Sequence, residues 1–158
     1  MLTGMRALSI MQPWCSAIAF GGKRVENRTW RAPPWAIGTM IAIHASRKPD
    51  IAARPPSGES WPEHRMHLGA LIAVAALSGC HLSPDFGGTC GATRPLCSPW
   101  AVRDQYHWLL ENVRPLAEPV PCRGALGLWR LPEDVEQAVR MQIKSRDVTA
   151  TQPSKSVK

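Results

Sequence analysis

The sequence predicts an α+β fold: a small mixed β-barrel flanked by short helices. Three observations carry this reading. Apolar runs of strand length recur along the chain, clusters of Gly and Pro separate them, and one or two segments read as helices. At 158 residues the chain fits one domain. A domain of this size buries about two-thirds of its unfolded surface, so it needs no staples to hold a core.

The elements follow in order. "ALSIM" (Ala7 to Met11) is an apolar run suited to a buried strand, and Gln12-Pro13 breaks it. Pro13 suits the first turn of a helix, "PWCSAIAFGG", which Gly21 and Gly22 stop. Trp14 and Ile18 share one face of that helix. From Arg24 to Trp30 residue types alternate, with Arg24, Glu26, Arg28 and Trp30 on one strand face. "RAPPWAIG" is a Pro-rich loop, and "TMIAIHASR" is β-branched, apolar and a strand. "KPDIAARPPSGESWPEH" is a polar loop. "GALIAVAALSGCHL" fits a central strand, with Ile72 and Val74 favouring strand over helix. The segment 83–105 is a long irregular loop, of the kind that often carries function. "YHWLLENVRPL" fits strand or helix, and "GALGLWRL" is a closing strand. After Pro132 comes an amphipathic helix with Val135, Val139 and Ile143 on one stripe. Residues 1–143 therefore read as one domain, and 144–158 as a basic, disordered tail.

Charge bounds the partner. Nineteen Lys and Arg against twelve Asp and Glu leave +7, which favours polyanions such as nucleic acid. No apolar run reaches the roughly 18 residues of a membrane span. A cytoplasmic protein with no membrane partner is expected. Five cysteines, an odd number, read as mostly free thiols. Cys80-His81, Cys90, Cys97 and Cys122 lack the close C-x-x-C pairs of ordinary zinc sites, so no metal and no cofactor is expected.

The charges gather in "GGKRVENRTW" (Gly21 to Trp30). Glu26 and Arg28 share a face, where they form either a structural ion pair or part of a site. Lys23 has the other parity, and a glycine turn could swing it into the same cleft. Tryptophan is the second signal: seven Trp stand against two Phe and one Tyr. A base stacked on an aromatic face gains ~1–3 kcal/mol. Trp14, Trp30, Trp35 and Trp100 fall near the proposed cleft or in loops, and Trp108 and Trp129 fall inside strands. Trp100, flanked by Ser98 and Pro99, is the Trp best suited to touch a ligand. His44 on an apolar strand reads as a satisfied core histidine, and Cys15 as a packing residue.

These residues resemble the ASCH domain, a branch of the PUA-like superfamily. The G-x-K-x-x-E-x-R signature stands as Gly21, Lys23, Glu26 and Arg28, preceded by the S-I-x-Q-P-W lead-in at Ser9, Ile10, Gln12, Pro13 and Trp14. "SPWA", "YHWLLENVRPL" and "GALGLW" follow in the family's order. The resemblance covers about Ala7 to Leu131. It implies a pseudo-barrel with a cleft between the first helix and the sheet, and a nucleic-acid role, usually RNA. Some members are amidohydrolases that deacylate N(4)-acetylcytidine, and ribonuclease activity is attributed to others. This chain departs from the amidohydrolase branch. Glu26 stands where that branch has a Thr, and "GALIAVAALSGCHL" lacks the acidic residue of its later strand.

The leading expectation is a module that binds RNA, single-stranded DNA or a modified nucleotide through Trp14, Lys23, Glu26, Arg28, Trp30, Ser98 and Trp100. The alternative is a small hydrolase with Lys23 and Glu26 as the chemical pair. A protein-interaction module using the Pro-rich loops is the third reading.

Overall fold

The computed structural model describes residues 4–64, 66–84, 90 and 96–150. Six strands and two helices run in the order β1 (Arg6–Ile10), α1 (Trp14–Phe20), β2 (Val25–Arg28), β3 (Met40–Ala45), β4 (Ala70–Leu82), β5 (Tyr106–Pro121), β6 (Leu128–Arg130) and α2 (Glu133–Ala150), with a 3-10 turn at Pro34–Ala36. The strands form one mixed sheet in the order β2-β5-β4-β3-β1-β6. Only β1 and β3 run parallel; the other pairs are antiparallel. The sheet curls into a half-barrel, so the α+β mixed-barrel expectation holds.

The curl has a local cause. The long partners β4 and β5 lose register between Leu71 and Ala73, between Val74 and Ala76, and between Leu77 and Gly79. Each bulge bends its strand and increases the local twist. Asn112 takes a positive φ of 48° beside one of these shifts. Asn tolerates that left-handed conformation better than most residues. "YHWLLENVRPL" is therefore strand, and β5 continues it to Pro121.

Alternation sorts the core into two layers. Leu8, Ile10, Ile41 and Ile43 point to the face covered by α1, where Cys15, Ile18 and Trp108 join them. Ala7 and Ala42 point the other way, to Leu71, Val74, Leu116 and Leu131. There Val139 of α2 is fully buried, with Val135 and Ile143 packed beside it, so the predicted stripe seats α2 on the sheet. The helix continues to Ala150. The first part of the segment read as a disordered tail is thus helical, and residues 151–158 lie outside the described residues. Side-chain contacts support this extension: Arg146 donates to the Pro115 carbonyl at 2.6 Å and Arg114 pairs with Asp147 at 3.0 Å.

Candidate functional site

The turn after α1 aims the charged segment. A Cβ on Gly21 would sit 2.8 Å from the Ala17 carbonyl oxygen, so glycine is what allows the chain to close there. That same carbonyl accepts the Lys23 amide at 3.2 Å. Arg24 turns away and donates to the Ile18, Gly21 and Lys23 carbonyls, closing the C-terminal end of α1. Lys23 turns inward and is 1% exposed. Its Nζ donates to the Val25 carbonyl and to Glu26 Oε2, each at 2.6 Å. Glu26 Oε1 lies 3.3 Å from Arg28 Nε, an ion pair without hydrogen-bond alignment. Arg28 instead donates from its terminal nitrogen to the Ser9 carbonyl at 2.7 Å. The glycine turn therefore brings Lys23 to Glu26 despite its parity.

The lead-in motif builds the opposite wall. Gln12 is buried; its Oε1 accepts the Ser16 amide at 2.9 Å and its Nε2 donates to the His67 carbonyl at 3.0 Å. The Gln12 carbonyl accepts the Asp50 amide at 2.7 Å, and Asp50 Oδ2 accepts the Trp14 indole N–H at 2.9 Å. One glutamine thus fixes the helix start and the loop that orients Trp14. Trp61 packs edge-on against Trp14 at 5.1 Å, and Trp100 does so at 6.4 Å. Asn27 holds the loop that brings Trp100: its Nδ2 donates to the Trp100 carbonyl at 2.9 Å and its Oδ1 accepts the Val102 amide at 2.8 Å.

The result is a cleft of about 530 Å³ between the start of α1, β2 and the loops around Asp50 and Trp100. Trp14, Lys23, Glu26, Arg28 and Trp100 all line it. Trp30 and Ser98, expected at the ligand, do not. Trp30 packs edge-on against Trp108 at 4.7 Å and receives its indole N–H on the backbone carbonyl, which makes it part of the core. Ser98 Oγ accepts the Trp100 amide at 3.1 Å, so it shapes the loop from behind. Trp35 is exposed under the Arg6 guanidinium, away from the cleft. The sequence reading missed Asn27, Asp50, Arg54 and Trp61. Trp61 lies between Ser60 and Pro62, the same cue that singled out Trp100. Among the described lining residues three cations (Lys23, Arg28, Arg54) face two carboxylates (Glu26, Asp50), a balance of one positive charge.

Behind the cleft, Ser9 links the trio to His44. Its Oγ accepts the Trp129 indole N–H at 3.0 Å and lies 3.0 Å from His44 Nδ1, and His44 Nε2 lies 2.8 Å from the Cys122 carbonyl. The carbonyl can only accept, so the proton belongs on Nε2 and Ser9 donates to Nδ1. Burial holds His44 below the ordinary histidine pKa, against the Cys122 carbonyl and with help from Arg47. His44 is thus a satisfied core histidine. Cys15 packs beneath the trio; burial first and the Glu26 carboxylate second push its thiol well above its ordinary range, with Lys23 opposing.

On the outer side of β2 and β5 lies a second polar group. His81, Cys90, Cys97 and His107 bring their ligand atoms within 4.8 Å of one another. Sequence spacing alone did not pair them.

No family model and no curated protein matches the sequence. Solved structures do. The crystal structure of ASCH from Zymomonas mobilis matches with a TM-score of 0.52 at 16% identity, over 87% of this chain and 94% of that one. A tyrosine-to-phenylalanine variant of the same protein gives 0.53 at 17%, over 88% and 98%. A serine-to-alanine variant gives 0.51 at 18%, over 87% and 95%. The chain therefore carries the fold of ASCH domain proteins, the architecture that its ordered sequence motifs resemble.

Proposed function

We propose that the cleft binds one nucleotide unit of RNA or of another single-stranded nucleic acid. The observation that carries this is the buried Lys23–Glu26 pair with the half-buried Arg28 beside it, opening onto a cleft walled by Trp14 and Trp100. A volume of about 530 Å³ is the size of a small-ligand site. The single excess positive charge suits one phosphate. Arg28 and Arg54 are its contacts, because guanidinium forks match phosphate. Lys23 acts here through Glu26. With almost no exposed surface and two hydrogen bonds already made, it fixes Glu26 rather than touching phosphate. Glu26 then presents a carboxylate edge to the amino group of a base.

The hydrolase reading has the Lys23–Glu26 pair but lacks a group to complete it. Ser9 is the one hydroxyl among the described lining residues, and its Oγ is engaged by His44 and Trp129. Asp50 is engaged at both oxygens, by Trp14 and by the Ala52 amide.

The test is a titration of the full chain with short single-stranded RNA and DNA, followed by Trp fluorescence at two salt concentrations. Saturable quenching that weakens with salt is expected. Arg28→Ala should lower the salt slope by about 0.7, the value for one lost contact to a single strand. No quenching by either polymer, with release of cytidine from N(4)-acetylcytidine, would replace this reading with the hydrolase.

A further inference from the structure

We propose that His81, Cys90, Cys97 and His107 form a tetrahedral structural site for a zinc ion, which fastens the loop carrying Trp100 to strand β5. The site starts from strand register. His81 on β4 pairs with His107 on β5, and His107 pairs with Asn27 on β2. Directly opposed residues share a face, so the two imidazoles stand side by side in one row. The ring nitrogens face each other, His81 Nε2 lying 3.1 Å from His107 Nδ1. Two thiols close on the same point. Cys90 Sγ is 2.7 Å from His81 Nε2 and 3.3 Å from His107 Nδ1, and Cys97 Sγ is 3.5 Å from His107 Nδ1. Ligands bound to tetrahedral zinc at its usual bond lengths lie about 3.3–3.8 Å apart; the His107 contacts at 3.1–3.5 Å are near this spacing, and the 2.7 Å Cys90–His81 contact would open on binding.

The outer contacts match the role. His107 Nε2 donates to the Val102 carbonyl at 2.6 Å, which fixes the tautomer. The lone pair is left on Nδ1, the nitrogen turned to the cysteines. Cys90 and His107 are buried and His81 and Cys97 half-buried, and the four side chains would fill all four positions of a tetrahedral ion, as in structural sites. Two thiolates, formed by releasing their protons on binding, neutralise a divalent ion, so the loaded cluster carries no net charge. Two sulfurs and two imidazoles in this arrangement select zinc over the oxygen-loving magnesium and calcium.

The site reaches the cleft through one loop. Cys97 and the Val102 carbonyl tie the loop to the metal side, and Asn27 ties the Trp100 carbonyl and Val102 amide to β2. Resting on the nucleotide reading above, the ion would hold Trp100 in place as a cleft wall.

The first measurement is zinc content of the full chain, expressed with zinc and passed over a chelating resin. About one zinc per chain is expected, falling below about one-tenth in Cys97→Ser and His107→Asn. Cys122→Ser, whose thiol lies outside the cluster, should keep its zinc. Ligand variants can fail to fold for want of the ion, so cobalt(II) reconstitution of the unaltered chain is the second readout. A tetrahedral visible spectrum with a thiolate charge-transfer band supports the site. A folded chain that carries less than about one-tenth zinc and gains no thermal stability from added zinc would overturn it. So would a Cys90–Cys97 disulfide in protein isolated without oxidant. Repeating the RNA titration after chelation separates the two readings. Zinc binding without RNA binding under any condition leaves the metal site standing and removes the nucleotide reading.

Discussion

Glu26 of the Lys23–Glu26–Arg28 trio, and His107 and His81 of the His81–Cys90–Cys97–His107 cluster, stand on adjacent rows across β2, β5 and β4. Glu26 pairs with Trp108 and Trp108 with Cys80; one residue along, Asn27 pairs with His107 and His107 with His81. The pleat sends these rows to opposite faces. The trio settles its burial internally, since each charge has an opposite charge or a carbonyl beside it. The cluster has two sulfur and two imidazole donors around one point and no carboxylate among them. Neighbouring rows thus teach that burial alone does not mark a site. Self-paired charges can stay buried and hold a cleft wall in shape for a ligand, whereas the converging donors have no counter-charge among them, which is what carries the zinc proposal.

The largest effect should come from breaking the trio. Lys23→Ala leaves Glu26 buried with only the misaligned Arg28 as partner, and removing one member of a buried pair costs about 3–5 kcal/mol. Urea denaturation reads this directly. If the trio is self-contained, zinc content in the variant should be unchanged wherever it still folds. An unaltered stability would mean that Lys23 does not hold Glu26.

Trp100→Ala sharpens the comparison from the loop that the two rows share. Loss of one stacking wall should weaken nucleic-acid binding by ~1–3 kcal/mol, read by anisotropy of a labelled oligonucleotide. Zinc content should again be unchanged, because Trp100 contributes no ligand.

Gly124→Ala tests the extension of the trio through Ser9. A Cβ there would lie 2.6 Å from His44 Cε1 and 2.7 Å from Ser9 Oγ. Overpacking of this kind costs about 1–3 kcal/mol. The thermal midpoint should fall, and binding should fall with it if Ser9 positions Arg28.

A smaller effect is expected with pH. The folded pKa of His44 is lowered, so the unfolded chain binds its proton first as pH falls. The contribution of His44 is complete above the unfolded value near 6.5 and is lost as pH falls through the folded pKa. A His44→Gln variant should show a shallower fall of thermal midpoint with acid than the unaltered chain. The least effect belongs to Arg114→Ala. Its partner Asp147 is two-thirds exposed, and such surface pairs contribute about 0–1 kcal/mol. It should leave both rows untouched and serves as the reference for the others.

Much of this was legible in the chain. The strands could be read because apolar alternation and Gly/Pro breaks are local signals, and the Gly21 turn because its glycine stops α1. Trp14, Lys23, Glu26 and Arg28 could be placed together because they lie within one short segment. Trp30 misled for the same local reason. Its parity matched Glu26, but the strand ends at Arg28 and the ring turns into the core against Trp108. Asp50 and Arg54 reach the cleft, and Trp61 backs its Trp14 and Trp100 walls, from a loop with no periodicity to report where it folds back.

The sequence by itself determined the α+β class, the order of the elements and the gathering of charge after α1, since each depends on residues near one another. Tertiary structure alone decided that Lys23 serves Glu26 and that His107 meets two distant cysteines. It also decided that Asn27 carries Trp100 to the cleft. Those outcomes depend on which strands pair and in what register, and register is set by the bulged alignment of β4 with β5 rather than by any local run of residues.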